Sequence, residues 1–214
     1  MVVPWTCGRT QRPAKFVAWW IGLMAIVYLI TAYPTTLRPD VAARWSLSPD
    51  RLWPETWITY SLLHTGFWHL AANAALLWLA GGLVERIAGL RAMVALTAGA
   101  VLFAGLAEVL FDPAARSGVV GASGAVAACF ACGLVLEPRA EVQFYDVGLG
   151  GIKRLAGERG IRLVWFGAFA GAATLVLEAA IPEFQTAHAA HIAGIVYGAA
   201  FGLYWKSKRT VVRR

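Results

Sequence analysis

Six apolar runs, each close to the ~20 residues an α-helix needs to cross a hydrocarbon layer, dominate this chain. They cover about 16–33, 66–87, 91–111, 119–136, 163–181 and 187–205. A bilayer offers no water to bond backbone N–H and C=O groups, so such runs must close their hydrogen bonds internally, as helices. Proline, glycine and charge punctuate the joins, at Pro34, Pro39, Pro49 and Pro54, from Arg86 to Arg91, and at Asp112-Pro113, Glu137-Pro138 and Pro182. The expected fold class is all-α, a polytopic membrane protein built as a six-transmembrane-helix bundle. Residues 1–15 read as an N-terminal tail, 16–205 as the membrane domain and 206–214 as a basic C-terminal tail. Basic residues precede the first run, as in a signal peptide. That run is long for one and no clear A-x-A site follows, so it reads as a retained helix.

Composition agrees. Of 214 residues, 59% are hydrophobic and 14% charged, which excludes an ordinary soluble domain. The net charge of +7 would raise nucleic-acid binding in a soluble protein. Here topology explains it, and no nucleic-acid partner is expected. With the N-terminus inside, the inner segments hold Arg9, Arg12, Lys15, Arg86, Arg91, Arg139, Lys153, Arg154, Arg159, Arg162, Lys206, Lys208, Arg209, Arg213 and Arg214, which is 15 of the 19 basic residues. Only Arg38, Arg44, Arg51 and Arg116 fall outside. The positive-inside rule then puts both termini in the cytoplasm, and an even number of crossings agrees. The Ala- and Arg-rich composition points to a plasma (inner) membrane.

Three cysteines, Cys7, Cys129 and Cys132, make no disulfide framework. Cys129-x-x-Cys132 has redox spacing but sits inside an apolar helix without a second pair, and reads as small filler. The connection between the first two runs is about thirty residues long and carries Trp45, Trp53 and Trp57. Two readings stay open for it, a half-embedded lid and a packed structural loop. The connection 137–162 mixes glycine and charge and shows no motif.

Polar residues inside hydrocarbon-length runs are costly and mark function. Ser123 lies in Gly121-Ala122-Ser123-Gly124, at the head of the fourth run. Taken alone it reads as a helix N-cap. The four histidines change that reading. His64, His69, His188 and His191 all lie at the outer ends of the second and sixth runs. At ~1.5 Å per residue, Ser123 and His191 each lie roughly 6 Å below the start of their helices, with His69 level and Asn73 one turn deeper. His69 and Asn73, four apart, share a helix face. Gly194, Gly198 and Gly202 follow His191 on one stripe, of the kind that lets helices approach closely in lipid. The fourth run offers small faces in Ser123, Ala127, Ala131 and in Gly124, Ala128, Cys132.

If those faces meet, His191 is placed to take the proton of the Ser123 hydroxyl, which is a weak nucleophile without a base. His69, the Asn73 amide and the Ser123 backbone N–H are candidate oxyanion donors. No carboxylate completes a triad. Glu108 and Glu178 lie near outer helix ends, where they are expected to snorkel to the interface.

The chain resembles the rhomboid family of intramembrane serine proteases. The matching residues are His64-x4-His69-x3-Asn73, Gly81-Gly82-Leu83-Val84-Glu85, Gly121-Ala122-Ser123-Gly124 and Ala190-His191-x2-Gly194-x3-Gly198, in family order. The resemblance implies a six-helix core, Ser123 as nucleophile and His191 as base. It implies an oxyanion and substrate-binding site at His69, Asn73, Gly121 and the Ser123 backbone. Substrates would be transmembrane proteins cut near the outer face, entering laterally past the fifth helix. No cofactor or metal is expected. Two departures stand out. The Trp-Arg pair of many first loops is missing, since Ile58 follows Trp57, and the aromatic four residues after the serine is Ala127.

Three other readings compete. A rhomboid-like pseudoprotease would bind membrane clients without cleaving them, but would be expected to lose the serine or histidine. A metalloenzyme would use the four histidines, whose His188-x2-His191 spacing suits one site poorly. A small transporter would show internal repeats and paired broken helices, which are not evident.

Overall fold

Helices form at every one of the six apolar runs in the computed structural model, which describes residues 2–7, 14–111, 118–148, 151–154, 161–180 and 187–212. The first is α1 (Lys15–Thr31), and two short helices, α2 (Pro39–Trp45) and α3 (Thr56–Thr59), occupy the long connection after it. Helix α4 (Phe67–Leu76) runs through a π-helical turn at Leu77–Gly81 into α5 (Gly82–Ala88). Then come α6 (Leu90–Phe111), α7 (Ser123–Leu136), α8 (Leu163–Ala180) and α9 (His188–Val212). Among the described residues, two continuous stretches, Phe67–Ala88 and Leu90–Phe111, are long and apolar enough to cross a membrane. Lys15–Thr31 and Ser123–Leu136 are apolar but shorter. Helix α9 continues through residues expected to form a basic tail. Lysine and arginine are favourable at a helix C-terminus, where the backbone dipole is negative.

The exterior is apolar. Ile26 and Ile30 on α1, Phe103 and Leu110 on α6, and Ile192 and Val196 on α9 are all exposed. His64, Asn73, Glu85, Arg86, Thr97 and Glu108 are buried. Apolar exposure on this scale marks a surface that meets lipid or protein rather than water. The core centres on α1, the π-helical turn, α5 and α6, where Val17, Met24, Leu77, Leu83, Met93 and Leu96 are fully enclosed. Buried Glu85 accepts the first-turn N–H groups of Phe16 and Val17, both at 2.9 Å, and so ties α5 to the start of α1.

One expectation needs correction. The fold is mostly rather than wholly helical, because the N-terminal tail and the 137–162 connection pair with one another. Strand β1 (Val2–Cys7) lies antiparallel to β2 (Glu141–Gly148), with Val2 opposite Asp146 and Cys7 opposite Glu141. β3 (Gly151–Arg154) and β4 (Ile161–Arg162) also pair with β2. The strands that pair lie far apart in sequence, and local periodicity carries no record of such a pairing.

The first long connection packs against the helices. Leu47 is fully buried and exchanges backbone hydrogen bonds with Val119 at 3.2 and 2.7 Å. The Tyr60 hydroxyl donates to the Val101 carbonyl at 2.6 Å. The Arg44 guanidinium lies 4.4 Å from the Trp45 ring centroid and 4.3 Å from that of Trp53, and bonds Glu55 at 2.5 Å. This stack brings an arginine against tryptophan in a chain that lacks the sequential Trp-Arg pair.

Candidate active site

Among the described residues, helices α7 and α9 share the most extensive contact of any pair. Their contact runs along glycine. A Cβ at Gly194 would strike the Gly124 carbonyl, one at Gly198 the Ala128 carbonyl, and one at Gly202 would stand 3.0 Å from Val135 Cβ. The α7 ridge that meets the glycine stripe is therefore Gly124–Ala128–Cys132, all buried. Ser123, Ala127 and Ala131 flank that ridge and are partly open. A hydroxyl on the contact ridge itself would have been crushed, whereas one residue aside it keeps space for a reacting group.

Ser123 is the first residue of α7, and its cap is Ala122, with no side-chain capping bond. The capping role that its sequence position offered is thus not the one it has. Gly124 also packs on the backbone of Ala190, whose carbonyl oxygen lies 3.2 Å from the Cβ position. Ser123 and His191 are the next residues to those two contact points. The structure thereby brings both to the same end of one tightly packed helix pair.

His69 approaches from α4. Its Nε2 lies 2.8 Å from where a Gly121 Cβ would stand, and Gly121 has a φ of +119°. Only glycine suits that place, because the backbone is left-handed and the imidazole occupies the side-chain position. The Gly121 N–H donates to the Tyr60 carbonyl at 2.8 Å, which pins the turn before Ser123 to the first loop. The Thr65 hydroxyl lies 3.1 Å from His69 Nδ1. His69 and His191 lie close enough to interact electrostatically. Asn73 turns inward. Its amide donates to the His69 carbonyl at 2.9 Å, steadying the turn that carries the imidazole.

His64 stands behind His69, fully buried, with the rings edge to face at 5.0 Å between centroids. Its Nδ1 lies 3.2 Å from the Leu62 carbonyl. Burial, with the neighbouring His69 adding to it, pushes its pKa down to about 3, so His64 is neutral at physiological pH. His188, at the head of α9, is exposed. Cys129 and Cys132 are both free and buried inside α7.

Glu108 corrects the sequence reading. It does not snorkel, being only 1% exposed. Its Oε2 accepts the N–H of Ala190 at 2.8 Å. An acidic residue inside an apolar run was the available signal. Thr65 and Tyr60 were also missed, because nothing in their spacing distinguishes them from ordinary loop residues. The side chain of Glu178 and the joins at Asp112-Pro113 and Pro182 lie outside the described residues.

The family model described as Rhomboid domain matches residues 49–208. That range takes in the second half of the first loop and every helix from α3 to the basic part of α9. No curated protein matches the chain.

Proposed function

The chain belongs to the rhomboid family, and on that premise we propose that it is an intramembrane serine endopeptidase. It would cross the plasma (inner) membrane six times with both termini in the cytoplasm. It would cut transmembrane protein substrates near the outer face. One observation carries the reading: α7 and α9 meet at Gly124 and Ala190, the immediate neighbours of Ser123 and His191.

In this reading Ser123 Oγ attacks the scissile carbonyl carbon while His191 takes its proton. The negative charge on the former carbonyl oxygen meets the Ser123 backbone N–H and His69 Nε2. A Thr65 hydroxyl donating to Nδ1 leaves the proton of neutral His69 on Nε2, which is the form that can donate. Asn73 holds the His69 turn through one amide N–H and offers the other to the oxyanion. Gly121 lets the chain turn before Ser123 and leaves room for His69. His191 then protonates the departing amine, and a water deprotonated by His191 releases the acyl group. No metal or cofactor takes part.

The test is covalent labelling of Ser123 by a fluorophosphonate probe, which should be lost in His191→Ala. Ser123→Ala and His191→Ala should each abolish cleavage of a transmembrane reporter while expression persists. Activity that survives Ser123→Ala but is removed by a chelator would point to metal chemistry instead. A chain that binds reporter but neither labels nor cleaves would be a pseudoprotease.

A further inference from the structure

We propose that Glu108 is a positioning residue for His191, acting through the first turn of α9; the proposal rests on the Ser-His reading above. The first four N–H groups of a helix have no acceptor within it. Helix α9 begins at His188, and the residue before it is Ala187, which has no side chain to cap with. The cap comes from another helix. Glu108 Oε2 accepts the N–H of Ala190, third residue of α9 and immediate neighbour of His191. Leaving such a group unbonded away from water is costly, so the contact holds the turn in place.

The same face of α6 braces α7. Ala104, one turn before Glu108, places its Cβ 2.5 Å from the Cβ position of Gly124. The two residues next to the reacting groups, Gly124 and Ala190, are thus held from one helix, one by packing and one by hydrogen bonding. Glu85 uses the same device on α1, where no candidate reacting group lies near. A proton acceptor must keep its distance to the nucleophile within a fraction of an ångström, and a first helical turn left uncapped frays.

The experiment uses the full chain in proteoliposomes with a transmembrane reporter, and measures kcat and KM separately. Glu108→Leu keeps the size of the side chain and removes the acceptor. Its kcat should fall on the order of 10- to 100-fold, as expected for a displaced catalytic group. Its KM should stay within about twofold, because substrate contacts are untouched. Glu108→Gln retains a carbonyl oxygen at the same reach and should restore kcat to within about threefold of the parent. A Leu variant with parental kcat, or a Gln variant as slow as Leu, overturns the proposal.

Should Glu108→Leu fail to fold, Gln and Asp decide. Asp keeps the charge but is one methylene short, so it should be slower than Gln. Equal rates, or Asp faster, overturn the proposal. If the parent chain itself neither labels nor cleaves, the protease reading fails by itself. The positioning claim is then read from hydrogen exchange at the Ala190 amide, which should be protected in the parent and in Gln and exchange faster in Leu or Asp. Equal exchange in all of them overturns it.

Discussion

Gly194 sits against the carbonyl of Gly124 with no room between them for a Cβ. Gly194→Ala should therefore force α9 away from α7 and destabilise the protein by about 1–3 kcal/mol. Cleavage should fall further than the loss of folded protein explains, because the shift moves His191 relative to Ser123. Gly22→Ala is the control, since nothing lies within 4 Å of its Cβ position. Thermal unfolding in detergent compares the two, and equal midpoints would contradict the close approach.

Gly121→Ala meets two obstacles at one atom. The φ of +119° is unfavourable for any residue with a Cβ, at a cost of about 1–3 kcal/mol. The new methyl would also displace His69, whose Nε2 lies 2.8 Å away. Expected are an expressed, folded protein and a kcat at least ~10-fold lower, as for loss of an oxyanion donor. Parental fluorophosphonate labelling and cleavage in this variant would remove the Gly121–His69 contact from the site.

His64 should make the fold acid-sensitive. Its pKa is about 3 when folded and near the ordinary 6.5 when unfolded. The unfolded chain therefore binds the extra proton between those values, and stability rises with pH across the window. Neutral His64 costs nothing above pH ~6.5, and stability falls steadily as pH drops toward 3. At pH 4.5 the loss is about 3 kcal/mol. His64→Phe removes the titrating group, so the gap in unfolding midpoint between pH 7 and 4.5 should be smaller than in the parent. An unchanged gap would show that His64 is not the group responsible.

Glu85 holds two N–H groups at the start of α1. Glu85→Ala should leave both without a partner and cost roughly 2–4 kcal/mol. Glu85→Gln, with a single carbonyl oxygen, should lie between Ala and the parent. Differential unfolding in detergent gives the order. A midpoint for Ala equal to the parent would mean that α1 is held by packing alone.

Much of the site was legible because its signals are local. Glycine at spacing four marks a close-packed helix face wherever it occurs, and Gly194, Gly198 and Gly202 lie against α7 as that spacing requires. The common layer expected for Ser123, His69 and His191 comes from counting along helices. What spacing left open was which of two α7 ridges the stripe would meet. The two ridges differ by one residue, and both are small.

The chain alone determined where helices form, because that depends on runs of apolar residues and the breaks between them. It also determined which residues could bring chemistry into a lipid-height layer, because polar groups there stand out from their neighbours. Only the tertiary structure decided what those groups touch. Glu108 bonds to α9 rather than reaching the interface, His64 is sealed behind His69, and the N-terminal tail carries a strand of a sheet. Each of these rests on contact between segments remote in sequence, and burial is a property of the packed whole that no local pattern of side chains encodes.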